Sequence, residues 1–397
     1  MSRLSQLWRS NGEAVVCISL LLFMIGTVNI FSASFVEAGQ RMGDGYFYLK
    51  RHLFSFGIGM VVMLLVSKMD YHRFGRFLSP LMWATVGLLI AVHFVGIEVN
   101  GARRWLNIGF QFQPSELAKL TAIMITAGFL GPRMDRRRKI TLLSAPFYSA
   151  AVLGAIVLKQ PDMGTAVIIV GISLILYIIA GVPRQQLLVL GGGGIALFIY
   201  ATFAAAYRAE RIAAWMNPWD YQLGIGYQTV QGLLAIGSGG FMGTGFGMGS
   251  SKFNYLPEAH TDFAFAVLCQ EMGFVGALSV LCLMGLLAYY GIRIALKAPD
   301  GLGQLLTVGS IVLIVGQGII NIAMVSGIFP VVGVPLPFIS FGGTSLIINL
   351  IAIGLVVNVG RQADQAALQE PEPPEPDYRR SNRLKTARQG RTLNRVK

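Results

Sequence analysis

Charge is scarce in this chain: 13% of its 397 residues are Asp, Glu, Lys or Arg, about half the share a soluble domain carries. Cysteine is scarcer still, with Cys17, Cys269 and Cys282 lying singly inside apolar runs. That excludes a disulfide framework and a zinc site with paired thiolates. The chain also lacks His-Glu-x-x-His, Cys-x-x-Cys and a phosphate loop ending in Gly-Lys-Ser/Thr, so the common soluble-enzyme signatures are missing.

Apolar residues are abundant, at 54% of the chain, and the mean hydropathy is +0.61. Runs long enough, or nearly so, to cross a hydrocarbon core of roughly 30 Å lie near residues 14–35, 53–67, 77–97, 117–132, 140–158, 163–183, 187–207, 263–292, 305–329 and 344–360. The first is too long for a signal-peptide core and is followed by many more, so it is expected to remain as an anchor. The pattern predicts an all-α polytopic membrane protein of about ten spanning helices. Residues 1–13 form a short N-terminus, 14–360 the membrane domain and 361–397 a tail. The tail turns to Gln, Ala and Asp, then Pro and Glu, then a basic end, a composition expected to be disordered.

The net charge of +13 sits in short loops and the tail instead of one stripe, which argues for topology signals and against nucleic acid. An even helix count puts both termini on one side. The loops on that side carry Lys68, Arg73, Arg76, Arg133, Arg136, Arg137, Arg138, Lys139, Arg184, Arg293 and Lys297. The opposite loops spread fewer basic residues over longer stretches, so the terminal side is expected to be cytoplasmic. Residues 208–261 then form a large extracytoplasmic loop between helices 7 and 8. Its aromatics, among them Trp215, Trp219, Tyr227 and Phe241, point to short helices and turns packed on the outer membrane face.

Ionisable groups in or at the rim of apolar helices are costly and mark cavities or paths. Here they are Glu116, Lys119, Lys159, Asp162, Asp262 and Glu271, all toward the predicted outer half of their helices. A polar cavity open to the outside accounts for the set. Local pairing of Glu116 with Lys119, and of Lys159 with Asp162, accounts for part of it equally well. Asp262, where the long loop enters a helix, is either a helix-start acid or a chemical group.

Five stretches make the pattern specific: Asn100-Gly-Ala-Arg-Arg-Trp105, Gln113-Pro-Ser-Glu-Leu-Ala-Lys119, Gln160-Pro-Asp-Met-Gly-Thr165, Leu256-Pro-Glu-Ala-His-Thr-Asp-Phe263 and Pro335-Leu-Pro-Phe-Ile-Ser-Phe-Gly-Gly343. In order and spacing the chain resembles the FtsW/RodA/SpoVE family of shape, elongation, division and sporulation proteins. The run Tyr255-Leu-Pro-Glu-Ala-His260 favours the division and sporulation branches, while 326–335 looks like the elongation branch. Two positions depart from the usual pattern: Gln270-Glu271 replaces a Glu-Glu pair, and Ser340-Phe-Gly-Gly-Thr-Ser345 replaces Ser-Tyr-Gly-Gly-Ser-Ser.

The resemblance implies a peptidoglycan glycosyltransferase that polymerises lipid II into β-1,4 glycan on the outer face of the bacterial cytoplasmic membrane, releasing undecaprenyl pyrophosphate. It implies a class B penicillin-binding protein as partner, beside other division or elongation membrane proteins. The family's essential acid falls on Asp262, and its Arg-Trp motif on Arg104 and Trp105. Glu116 and Lys119 match its Pro-Ser-Glu-x-x-Lys pattern. Attack by a sugar hydroxyl on a pyrophosphate-bearing carbon needs a base and cationic groups for the leaving diphosphate. Asp262 is therefore the expected base, and Arg103, Arg104, Trp105, Glu116, Lys119 and Glu271 the expected substrate-binding set. No cofactor is demanded, although a divalent cation could assist the leaving group. A lipid II flippase or a non-catalytic scaffold remains a rival; the outward clustering of charge favours an enzyme over alternating access.

Overall fold

The computed structural model describes residues 8, 10–99, 102–107, 109–189, 191–193, 206–249 and 255–369. Helices dominate. Helix α1 (Asn11–Met42) starts where Ser10 accepts the Glu13 amide and stops at Gly43, whose φ of 71° suits a residue without a side chain. Helices α2 (Phe47–Lys68) and α3 (Leu78–Val95) follow. Three short antiparallel strands come next: β1 (Ile97–Val99), β2 (Ala102–Asn107) and β3 (Gln111–Phe112), in that order across the sheet. This meander is the one β element among the described residues. The hydropathy pattern does not reveal it, because its strands lie in a polar connection.

Helix α4 (Pro114–Asp135) opens on a proline, which suits a first helical position where no amide partner is needed. Helices α5 (Ala145–Lys159) and α6 (Met163–Ile179) complete the first half. In the second half come α7 (Ala206–Met216), α8 (Tyr227–Gly239), the long α9 (Ala264–Lys297), α10 (Gly301–Ile311), a π-helical turn (Val312–Gly316), α11 (Gln317–Val325) and α12 (Gly343–Gln369).

Among the described residues, six helices are long and apolar enough to cross a membrane, α10 through α11 counting as one, and α5 and α6 are shorter apolar helices. Helix α4 has the length but carries Glu116 and Lys119. The expected helix over 187–207 lies largely outside the described residues. So does the tail from residue 370; helix α12 itself runs to Gln369, nine residues beyond the boundary at 360 that composition suggests, so 361–369 are helical and not disordered.

The surface is apolar where lipid would lie: Phe54, Trp83, Phe94 and Phe274 are all more than half exposed. The interior, in contrast, holds hydroxyls and glycines. Thr85 meets Thr121 at 2.9 Å, Thr126 donates to Ser173, and a Cβ on Gly309 would lie 2.6 Å from Ile123. Small and hydroxylated residues let helices approach closely in an apolar solvent. Helix α12 is the most enclosed spanning helix and α3 the most peripheral. The chain is an integral membrane protein.

Candidate active site

The site forms where β2 and the first turns of α4, α6, α9 and α12 converge. Arg104 on β2 donates from Nε to the Gln160 carbonyl at 3.1 Å and from its guanidinium tip to the Pro161 carbonyl. It is thereby fixed beside Asp162. Asp162 caps α6, with Oδ1 accepting the Thr165 amide at 3.1 Å, and Oδ2 takes a longer bond from Gln113. Thr344, in the first turn of α12, accepts the Gln113 amide and donates to the Gln111 carbonyl. That hydroxyl pins β3 and the start of α4 to α12.

Asp262 stands one residue before Phe263, which occupies the cap position of α9. It is therefore not the N-cap residue itself, although it lies at the start of that helix. Its side chain is partly buried. Burial first, then the charges of Glu258 and Asp162, push its carboxyl up to about 7, and Arg104 opposes them. Burial likewise raises the Asp162 carboxyl, again against Arg104. The neighbouring His260 is buried, with Nδ1 3.2 Å from Glu37 of α1 and its ring against Tyr48, while its carbonyl accepts the Phe341 amide. These contacts hold the turn that carries Asp262.

Lys119 and Glu116 pair within α4 at 2.8 Å, both almost completely buried. The ammonium also donates to Gln317 Oε1 at 2.6 Å. Local pairing, left open by the sequence, is thus what occurs. The other local pair does not form: Lys159 is exposed and Asp162 is engaged as a cap. Arg103 points away from this group, reaching Glu98 across the exposed strand pair at 3.4 Å. Trp105 is half-buried in β2 opposite Ile97. Glu271 lies about two turns along α9, where Oε1 accepts from Ser32 at 2.6 Å and from the Gly247 amide at 3.2 Å. Its partners belong to the long loop and α1, not to the Asp262 group.

Among the described residues, no three His, Cys, Asp or Glu side chains gather in a cluster that could hold a metal ion. Residues that sequence reasoning missed are Gln113 and Gln160, inside two quoted motifs, and Gln317 and Asn321, inside an apolar run. The signal for the last two was polarity in an apolar helix, but neither is ionisable.

The FtsW/RodA/SpoVE profile, described as "Cell cycle protein", matches residues 13–365. The chain belongs to this family. It is 40% identical over 354 residues to "Stage V sporulation protein E" of Bacillus subtilis strain 168, covering 87% of this chain and 96% of that one. It is 38% identical over 359 residues to "Probable peptidoglycan glycosyltransferase FtsW" of Geobacter sp. strain M18, covering 89% and 97%. Among solved structures, one titled "Structural coordination of polymerization and crosslinking by a peptidoglycan synthase complex" matches with a TM-score of 0.72 and 30% identity, covering 88% of this chain and 98% of that one. The crystal structure of the Thermus thermophilus rod shape determining protein RodA matches at 0.63 and 29%, covering 88% and 96%.

Proposed function

We propose that this member of the FtsW/RodA/SpoVE family polymerises lipid II into β-1,4 glycan strands on the outer face of the bacterial inner membrane, releasing undecaprenyl pyrophosphate. The relatives named as glycosyltransferases support the reaction class. The observation that carries the mechanism is a carboxyl, Asp262, whose proton affinity is tuned close to neutrality beside a fixed guanidinium, Arg104. A base works best when its pKa lies near the working pH. Asp262 takes the proton of the acceptor sugar's 4-hydroxyl as that oxygen attacks the donor carbon. Arg104 supplies positive charge for the departing diphosphate, which a planar fork suits better than a point charge. An α-linked donor yields a β-linked product by a single inversion, so no covalent enzyme intermediate forms.

Trp105 and Arg103, on the sheet outside this centre, meet the sugar or diphosphate in this reading. Glu116, Lys119 and Glu271 act on it from behind, by shaping the elements that hold it. The partner is a class B penicillin-binding protein, in keeping with the neighbouring synthase complex, and other membrane proteins of division or elongation complete the assembly.

The test is glycan synthesis by the purified chain with fluorescent lipid II, with and without a class B penicillin-binding protein. Asp262→Asn keeps the shape of the side chain but cannot accept the proton. It is expected to insert normally, retain its partner and make glycan at or below background. The parent rate should rise with pH through about 7, as the Asp262 carboxyl loses its proton. An Asn variant within a few-fold of the parent would remove Asp262 from the mechanism.

A further inference from the structure

Gln317 and Asn321, one helical turn apart on α11, are 1% and 0% exposed, and neither falls in one of the five motif stretches. The π-helical turn Val312–Gly316 precedes them; such a turn inserts one residue and rotates the helix that follows, and is common at functional sites. Asn321 Nδ2 donates to two main-chain carbonyls at once, Asp262 at 2.8 Å and Val334 at 2.7 Å. Both neighbours are acceptors only, so the amide nitrogen must face them and the side-chain orientation is unambiguous.

Asn321 thus ties the turn bearing Asp262 to the segment 331–335. Within that segment Gly333 has a φ of 67°, and a Cβ built on it would stand 3.3 Å from Asp262 Oδ2. The backbone of Gly333 therefore lies against the carboxylate. Two further contacts keep the segment in place. Gln317 Nε2 donates to the Pro335 carbonyl at 2.8 Å, and Gly164, at the start of α6, packs so close that its Cβ would lie 2.6 Å from the Val332 carbonyl oxygen.

We propose that Asn321 and Gly333 form a clamp that positions Asp262: Asn321 holds the main chain of Asp262 against segment 331–335, and Gly333 offers the bare backbone surface on which its carboxylate rests. Both are positioning residues: Asn321 acts through the Asp262 main chain and Gly333 through contact with its carboxylate, and neither takes up the proton. The proposal rests on the reading of Asp262 as the base. A base displaced by about an ångström can lose two orders of magnitude in rate, so the clamp acts on turnover and not on capture of lipid II. It also governs how far the carboxylate is shielded from water, while Glu258, Asp162 and Arg104 provide the charges around it.

The experiment compares the full-length parent, Asn321→Ala and Gly333→Ala in lipid II polymerisation between about pH 5.5 and 9, reading kcat, KM and the midpoint of the rising limb. Asn321→Ala frees both carbonyls and lets the carboxylate reach water. It is expected to lower kcat at least about tenfold, leave KM within about twofold, and move the limb to lower pH. Gly333→Ala leaves Asn321 in place, strains a backbone held at a φ of 67° and sets a methyl group against Oδ2, so kcat is expected to fall and the limb to move to higher pH. A limb that stays with the parent in both variants, or a change confined to KM, overturns the clamp. Should Asn321→Ala fail to give a folded peak on size exclusion in detergent, Gly333→Ala decides alone by the same criterion. Asp262→Asn runs in parallel: activity there defeats the base reading itself, whereas an inactive Asn variant with unmoved limbs defeats only the clamp.

Discussion

Lys119 is 1% exposed, and its ammonium is taken up by Glu116 and Gln317. A buried charge is tolerable only while its partner is present, and removing one member of such a pair leaves an uncompensated ion in a low-dielectric interior. Lys119→Met is therefore expected to destabilise the detergent-solubilised protein by about 3 kcal/mol, seen as a lower unfolding temperature. Pairing it with Glu116→Gln should recover much of that loss, whereas a lysine whose only task is to bind diphosphate would show no such recovery. The departures from the family pattern are also legible at this scale. Gln270, where a glutamate is usual, donates from Nε2 to Ser238 Oγ at 2.9 Å, a bond an ionised carboxylate cannot donate. Thr344 keeps the hydroxyl of the usual serine and uses it on β3 and α4.

Helix α9 does not run straight: Gly273 has φ 66° and ψ −161° inside it, and the break frees the carbonyls of Gln270 and Glu271. The long loop fills the gap, with the Thr244 amide bonding the Gln270 carbonyl at 2.9 Å and the Gly245 amide the Glu271 carbonyl at 3.1 Å. The approach is backbone to backbone, and a Cβ on Gly239 would collide with the Cys269 carbonyl. Gly239→Ala is accordingly expected to lose about 2 kcal/mol through overpacking and to open segment 241–249 to protease. Gly237→Ala, on the same helix with nothing within 4 Å of its new methyl, should be neutral or gain up to about 1 kcal/mol from helix propensity. A similar loss in both variants would mean that α8 itself, and not its seat on α9, sets the stability. This seat also explains why Glu271 reads from sequence as a substrate contact. An acid in an apolar helix signals a polar neighbourhood, but only the fold reveals that the neighbour is the protein's own loop.

Nine of the ten hydropathy runs map onto described helices, the run 187–207 lying largely outside the described residues, because each spanning segment must satisfy its backbone internally and so announces itself as a continuous apolar stretch. The same signal says nothing of what those helices bring together. Arg104 reaches the carbonyls of Gln160 and Pro161 from a strand that hydropathy cannot see, and Asn321 reaches Asp262 across 59 positions of chain. The motifs carry Asp262, Arg104 and Asp162, whose charges the fold brings within reach of one another, while the amides of Gln317 and Asn321 passed as filler in an apolar run. Orientation in the membrane is the remaining property of the whole molecule that every assignment depends on, since lipid II is polymerised on one face only. It rests on the crowding of Lys and Arg in the loops beside the two termini. Two exposed positions test it in a chain whose Cys17, Cys269 and Cys282 are replaced by serine. Leu223, 99% exposed between α7 and α8, and Leu368, 87% exposed near the end of α12, are each changed to cysteine. Leu223→Cys is expected to react with a membrane-impermeant maleimide in cells whose inner membrane is sealed, and Leu368→Cys only after that membrane is opened. The opposite pattern would put Asp262 and Arg104 on the cytoplasmic face, out of reach of an outward-facing polymerase reaction, and would leave the proposed function without a site.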